Sequence, residues 1–99
     1  MTYRPHGQHL VAGRRTASSQ QFDSRPVTGP AHSFCNGGAD EVDSAVRAAE
    51  AAFASYGQSS REQRAAFLEA IADAIEARAG DLTPTVMSET GLPQARVEG

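Results

Sequence analysis

Two amphipathic stretches between residues 40 and 79 constrain the fold of this 99-residue chain more than any other feature. In each stretch the apolar residues recur at offsets of three, four and seven, the spacing that places side chains on one face of an α-helix. The first face comprises Val42, Ala45, Val46, Ala49, Phe53 and Tyr56, and the second comprises Phe67, Leu68, Ile71, Ala72, Ile75 and Ala79. The sequence therefore predicts two helices, joined at Gly57, whose apolar faces are buried against other parts of the protein.

Capping residues predict the ends of these helices. Asp40 is the expected N-cap of the first, with Asp43 at N3 and an ion pair from Asp43 to Arg47. Gly57 follows the last periodic residue, where a left-handed conformation suits glycine.

The second helix is expected to start with a capping box from Ser60 to Gln63. The pair Ser59 and Glu62 would place the start one residue earlier, and both starts remain open. Gly80 is expected to end this helix.

A third helix is predicted from Asp81 to Thr90, with Pro84 in its first turn, where its missing N–H does no harm. Alternatively, Thr83 is the N-cap and Pro84 is N1. Gly91 ends the helix, and Pro93 begins a fourth that is cut off at Gly99. We therefore expect a truncated chain.

The N-terminal third contains short strands and turns. Residues 1–8 are polar and are expected to form a flexible arm. One strand is predicted over 9–13, a second anywhere from Arg15 to Phe22, a turn over 25–30, and a further strand from His32 to Cys35 that ends at 36–38. The predicted fold is mainly α: short N-terminal β-strands, three helices and a truncated fourth.

Composition indicates that the apolar faces are completed elsewhere. Eighteen residues are Ala and sixteen are Leu, Ile, Val or Phe. The latter are about 16% of the chain, below the roughly 20% at which a self-sufficient core becomes doubtful. A missing part of the same chain, or a partner, would supply the cover.

Charge and cysteine content exclude several functions. The nine basic residues are scattered arginines with few aromatic neighbours, so nucleic-acid binding is not expected. No apolar run reaches the ~18 residues of a membrane span, and no secretory signal peptide is recognisable. A single cysteine excludes an internal disulfide. We expect a cytoplasmic protein.

No residue qualifies as catalytic, cofactor-binding or metal-binding. A nucleophilic Cys35 would need a neighbour that stabilises its thiolate, and His32 is three residues away on a predicted strand, hence on the opposite face. Gly37 and Gly38 match no phosphate-binding motif and precede an acidic helix turn.

The remaining polar candidates are also explained without a site. The histidines His6, His9 and His32 lack ligand spacing, so no metal is expected. The acids Glu62, Glu69, Asp73 and Glu76 are expected to form a solvated helix face.

Five segments in order resemble the N-terminal part of the aldehyde dehydrogenase superfamily. They are a strand ending in Gly over 9–13, the Pro-x-Thr-Gly turn over 26–29, Val-Asp-x-Ala-Val over 42–46, Ser-Arg-Glu-x-Arg over 60–64, and Glu-Thr-Gly-x-Pro over 89–93. Residues 64–72 and 91–96 are most similar to the bacterial α-ketoglutaric semialdehyde (2,5-dioxovalerate) dehydrogenase branch. Departures are Arg25, where Asn is usual, Pro30, where an acid is common, and Pro84 near a helix start.

The resemblance implies an α/β parent enzyme, of which residues 9–99 are an incomplete part of the cofactor-binding domain. Such an enzyme oxidises an aldehyde with NAD or NADP, through a cysteine nucleophile and a glutamate-activated water, as a homo-oligomer. The family's catalytic residues lie beyond residue 99, so the fragment alone is expected to be inactive and to bind no cofactor. Its expected partner is the rest of its own chain.

An alternative remains open. The chain could be a stand-alone helical interaction module without catalysis, whose Ala-rich faces dock on another protein.

Overall fold

The computed structural model of the chain describes residues 3–99, and four short strands precede four helices along them. The elements divide between two compact units. One unit comprises Pro5–Ser24 and His32–Ser60, and the other comprises residues 3–4, Arg25–Ala31 and Arg61–Gly99. The element order confirms the prediction of a mainly helical chain with N-terminal strands.

The first two strands form a tight antiparallel hairpin. Strand β1 (His9–Val11) pairs with β2 (Arg14–Thr16), and Val11 lies opposite Arg14. The two residues between the strands both have positive φ, 54° at Ala12 and 75° at Gly13. This is the pattern of a type I′ turn, whose twist matches that of the flanking strands. Ala12 is therefore a non-glycine residue held in a left-handed conformation.

We expect Ala12→Asn to stabilise the protein by about 0.5–1 kcal/mol, because Asn adopts this conformation more readily than Ala and is favoured in type I′ turns. The measurement is the free energy of unfolding in urea. The control is Ala12→Val, which should destabilise, since a β-branched side chain is disfavoured at positive φ. Equal effects of the two substitutions would contradict this account of the turn.

The next two strands pair through an aromatic contact. Strand β3 (Gln21–Asp23) lies antiparallel to β4 (Ser33–Cys35), with Phe22 opposite Phe34. The two rings stack with centroids 5.7 Å apart. The prediction of one strand between Arg15 and Phe22 is thus corrected: the end of β2 and the start of β3 both fall there. Each strand has only three residues, so the alternation of apolar and polar residues is too short to distinguish β2 from β3 in the sequence.

Two residues of the N-terminal arm make specific contacts. The carbonyl of Gly7 accepts a 2.7 Å hydrogen bond from the N–H of Cys35. The ring of Tyr3 lies 5.5 Å from the guanidinium carbon of Arg78. Met1 and Thr2, the first two residues of the predicted arm, lie outside the described residues.

Helix α1 (Ala39–Tyr56) begins before the predicted cap. Gly38, not Asp40, is the N-cap residue, and Glu41 is N3. The Glu41 carboxylate accepts a 3.0 Å hydrogen bond from the N–H of Gly38, which is half of a capping box. The predicted pair of Asp43 and Arg47 is confirmed at 2.8 Å, although both side chains are exposed and the contribution is only about 0.3 kcal/mol.

Gly57 ends α1, but the prediction of a left-handed conformation there is wrong. Its φ is −63° and its ψ is −18°, so its backbone is right-handed. A Cβ at this position would lie 2.7 Å from the carbonyl oxygen of Phe53 and 3.0 Å from the Phe53 ring. Close approach of Phe53, rather than a positive φ, therefore favours glycine.

Helix α2 (Arg61–Ala77) starts where Ser60 as N-cap predicts, but it ends earlier than expected. Gly80 does not end it. The break lies at Arg78, whose carbonyl accepts hydrogen bonds from the N–H groups of Asp81 and Leu82, and whose guanidinium binds the Asp81 carboxylate at 2.9 Å. Gly80 lies within helix α3 (Ala79–Thr90).

Because α3 starts at Ala79, both predicted placements of Pro84 are wrong. Pro84 is the sixth residue of the helix and lies in its interior. Gly91 ends α3 with φ 74° and donates its N–H to Met87, as expected for a left-handed cap. Helix α4 (Gln94–Glu98) follows, with Pro93 as its N-cap rather than its first residue.

The apolar helix faces are present but largely uncovered. Cys35, 9% exposed, is the single buried residue among those the structure describes. Val46 and Phe53 on α1 are 61% and 71% exposed, and Leu68 on α2 is 65% exposed. The predicted apolar faces exist, and they are largely exposed in the part of the chain that the structure describes.

Candidate functional site

Cys35 is the free cysteine, and its surroundings are structural. It ends β4, pairs with Gln21, and is buried. The backbone N–H of Cys35 donates a hydrogen bond to the carbonyl of Gly7. A buried thiol on a paired strand offers a substrate no direct access, so the geometry supports the structural interpretation of this residue.

The glycine pair before α1 borders a cavity of about 310 Å³, lined in part by Ser18, Asn36 and Gly37. The first helical turn carries Asp40 and Glu41. The Glu41 carboxylate occupies the N–H of Gly38, the backbone donor that a phosphate oxygen would use. Two carboxylates at this helix start would also repel a phosphate.

The histidines serve local roles. Nδ1 of His6 accepts a 2.9 Å hydrogen bond from the N–H of Gln8. Nε2 of His9 lies 3.2 Å from Oγ of Ser18, which in turn donates to the carbonyl of Asn36. Within residues 3–99 there is no group of three His, Cys, Asp or Glu side chains close enough to hold a metal ion. The same described residues contain no helix long and apolar enough to cross a membrane.

The acidic residues of α2 are exposed along the helix. They are Glu62, Glu69, Asp73 and Glu76. Exposed charged side chains on a helix are typical of a face that points to solvent, which is the predicted interpretation of these acids.

Hydrogen bonds connect the Pro-x-Thr-Gly turn to the end of α3. The carbonyl of Ser88 accepts hydrogen bonds from the N–H groups of Val27, at 2.9 Å, and Thr28, at 3.2 Å. The Ser88 hydroxyl donates to the carbonyl of Thr28. Because α3 ends two residues later, the helix itself provides no N–H group for the Ser88 carbonyl. The Pro-x-Thr-Gly segment provides the N–H groups instead. A segment 60 residues away in sequence thus caps the helix.

We expect Ser88→Ala to lower the free energy of unfolding by about 1 kcal/mol, because the hydroxyl bond to Thr28 is lost while the two backbone bonds remain. Urea unfolding measures the change, and amide exchange at Val27 should accelerate with it.

The matched control for Ser88 is Ser55→Ala. The Ser55 hydroxyl is exposed and donates to the carbonyl of Ala52 in its own helix at 3.3 Å, so its removal should be nearly neutral. If both substitutions had the same small effect, the hydroxyl of Ser88 would not hold the turn.

An open groove lies beside this connection. We call it the α3–α4 groove; it has a volume of about 880 Å³ and is lined mainly by Val27, Pro84, Met87, Leu92, Pro93 and Glu98. The lining is mostly apolar. The arrangement suits contact with an apolar partner and contains no pair of groups positioned for catalysis among the described residues.

A second cavity, of about 310 Å³, lies at the break between α2 and α3. It is lined by Ile71, Ile75 and Leu82, with Tyr3 and Arg78 at its side. The guanidinium of Arg78 donates a hydrogen bond to the Asp81 carboxylate and packs over the Tyr3 ring. These contacts stabilise the junction between α2 and α3.

The chain is similar to known proteins of one family. The model of the aldehyde dehydrogenase family matches residues 16–99. The chain is 37% identical over 94 residues to the alpha-ketoglutaric semialdehyde dehydrogenase of Acinetobacter baylyi, a match that covers 95% of this chain and 18% of that protein. It is 36% identical over 100 residues to alpha-ketoglutaric semialdehyde dehydrogenase 2 of Azospirillum brasilense, covering 94% of this chain and 19% of that protein. The chain therefore spans about a fifth of the length of these relatives.

Proposed function

Because this chain belongs to the aldehyde dehydrogenase family, we propose that it is the N-terminal part of a longer enzyme that oxidises an aldehyde to a carboxylic acid. In the net reaction the aldehyde gives up a hydride to NAD⁺ or NADP⁺, and water supplies the second oxygen. The observation that carries the proposal is the family match over residues 16–99, made by a chain that covers only 18–19% of its named relatives.

The substrate we propose is the semialdehyde of 2-oxoglutarate. Both named relatives carry this substrate in their names, and each matches more than nine-tenths of this chain. This substrate has an aldehyde at one end and an oxo acid at the other, so it needs a site with a cationic group for its carboxylate.

The described residues 3–99 show no site that fits the dinucleotide. The N–H of Gly38, at the start of α1, is hydrogen-bonded to the Glu41 carboxylate, and Cys35 is buried on a paired strand. We therefore propose no catalytic or cofactor-binding role for these described residues, and we propose that the fragment alone is inactive. The nucleophile, the general base and the phosphate-binding loop belong to the part of the enzyme beyond Gly99.

The contribution of the chain is architectural. Its exposed apolar faces on α1 and α2 are surfaces that a larger α/β domain would cover. We propose that residues 9–99 are the outer strands and helices of the cofactor-binding domain, after an N-terminal arm at residues 1–8. The complete enzyme would be a cytoplasmic homo-oligomer.

The test is the full-length gene product. Reading the gene past codon 99 should reveal several hundred further residues with a cysteine in a Gly-Gln-x-Cys setting. The purified full-length protein should reduce NAD⁺ or NADP⁺, followed by absorbance, when given 2-oxoglutarate semialdehyde, and should turn over this substrate faster than acetaldehyde. The 99-residue chain should give no turnover. Full-length protein without aldehyde oxidation would contradict the proposal.

The uncovered apolar faces also favour a second candidate, a stand-alone helical module that docks on another protein. It predicts an in-frame stop directly after codon 99 and sharp, cooperative melting of a monomeric 99-residue chain. The enzyme proposal predicts instead that the isolated chain is poorly ordered or self-associates.

A further inference from the structure

Asn36 lies at the surface, between the end of β4 and the start of α1. It is the only asparagine of the 99 residues, and glycine follows it at positions 37 and 38. Asn36 and Gly37 are both exposed, and both line the cavity of about 310 Å³ that precedes α1. Asparagine is a labile residue, because the main-chain nitrogen of the next residue can displace its side-chain amide. Glycine as the next residue lacks the Cβ that would hinder this approach.

The main chain of Asn36 is held by hydrogen bonds, whereas the two groups that would react are not. The N–H of Asn36 donates a 2.9 Å hydrogen bond to the carbonyl of Gln20, and the carbonyl of Asn36 accepts one from the Ser18 hydroxyl. Among residues 3–99, neither the side-chain amide of Asn36 nor the N–H of Gly37 has a hydrogen-bond partner. Neither reacting group therefore has to give up a hydrogen bond to the protein before the two meet.

We propose that the Asn36–Gly37 peptide is a site of spontaneous modification, at which Asn36 loses ammonia and becomes aspartate or isoaspartate. The Gly37 nitrogen gives its proton to solvent and forms a bond to Cγ of Asn36, and the bond from Cγ to Nδ2 breaks as ammonia leaves. Water then opens the resulting succinimide ring. Opening at Cγ gives aspartate, and opening at the main-chain carbonyl carbon gives isoaspartate. The net reaction is the hydrolysis of an amide, without oxidation or reduction.

Either product changes the start of α1. Each adds a carboxylate beside the cavity that Asp40 and Glu41 also line, and isoaspartate inserts a methylene group into the main chain. The N–H of Gly38, which caps the helix through its hydrogen bond to the Glu41 carboxylate, lies two residues after the altered position. This chemistry requires no catalytic group and is independent of the proposed function.

Mass spectrometry of the full-length protein tests the modification. The protein is incubated at physiological temperature and mildly alkaline pH, and samples are digested with trypsin. The peptide over residues 16–47, which contains Asn36 as its only asparagine, should convert with time to a mixture of aspartate and isoaspartate at that position. The rate should lie within about tenfold of the rate for the same protein unfolded in guanidinium chloride, a barrier difference of ~1.4 kcal/mol.

Gly37→Ala tests the route through the Gly37 nitrogen. Gly37 does not have a positive φ, and a Cβ there would lie 3.8 Å from Cε1 of His9, an ordinary contact, so the variant should fold. The added methyl group hinders the attacking nitrogen and should slow the loss of ammonia by about tenfold or more. The matched control is Gly38→Ala, which leaves the Asn36–Gly37 peptide unchanged and should react at the rate of the unsubstituted protein.

Three results would overturn the proposal. Reaction in the folded protein more than about tenfold slower than in the unfolded protein would show that the structure protects Asn36. Equal rates for Gly37→Ala and the unsubstituted protein would show that the Gly37 nitrogen is not the attacking group. Equal slowing by Gly37→Ala and Gly38→Ala would show that the effect is not specific to that nitrogen.

Discussion

Gly7→Ala should destabilise the full-length protein by about 3–4 kcal/mol, the largest loss among the substitutions considered. Gly7 has φ 72°, a conformation that costs an alanine about 1–2 kcal/mol. A Cβ at this position would also overlap the carbonyl oxygen of Ser33 and lie 3.2 Å from Cα of Phe34. Since these atoms belong to the backbone of β4, the strand itself would have to move.

The movement would break a specific contact. The Gly7 carbonyl accepts the N–H of Cys35 at 2.7 Å, so displacement of the arm exposes the buried end of β4. We expect amide exchange at Cys35 to accelerate in Gly7→Ala together with the loss of unfolding free energy in urea.

Gly13→Ala is the matched control for Gly7. Gly13 has nearly the same φ, 75°, but a Cβ there would meet nothing within 4 Å. Gly13→Ala should therefore lower the free energy of unfolding only by the cost of a positive φ for alanine, about 1–2 kcal/mol. Amide exchange at Cys35 should be unchanged. If the two substitutions destabilised equally, the close approach of Gly7 to β4 would have no energetic weight.

The glycines show how far the sequence predicts this fold. Periodicity located α1 and α2, because an apolar face at helical spacing is a local property. Glycine correctly located the ends of α1 and α3, at Gly57 and Gly91, but not the end of α2. Gly80 lies inside α3 because the break is made at Arg78, whose side chain binds Asp81 and packs over Tyr3. The contact of Arg78 with Tyr3 joins residues far apart in sequence, and no local pattern predicts it.

The contact between Ser88 and the turn at Val27 and Thr28 was likewise not predicted. Both segments were recognised separately, one as a turn and one as a helix end, but the hydrogen bonds join residues about 60 positions apart. The sequence identified which helix residues are apolar. Their exposure could be anticipated only from the low content of large apolar side chains.

Pro84→Ala should stabilise the full-length protein by about 2 kcal/mol. Pro84 lies inside α3, lacks the N–H that would bond to the carbonyl of Gly80, and places its ring against that turn. A proline in a helix interior costs about 3 kcal/mol relative to alanine. The unfolded chain of the alanine variant is less restricted, which reduces the gain in stability by about 0.4–1 kcal/mol. Urea unfolding should show the gain, and amide exchange along α3 should slow.

Pro93→Ala is the control for the same chemical change outside a helix interior. Pro93 is the N-cap of α4, with φ −71° and ψ 155°, so no intrahelical hydrogen bond is missing there. Its replacement should destabilise slightly, by about 0.4–1 kcal/mol, through the greater freedom of the unfolded chain. The two prolines should therefore respond with opposite signs. Destabilisation by Pro84→Ala equal to that of Pro93→Ala would mean that packing of the Pro84 ring in the α3–α4 groove outweighs the missing hydrogen bond.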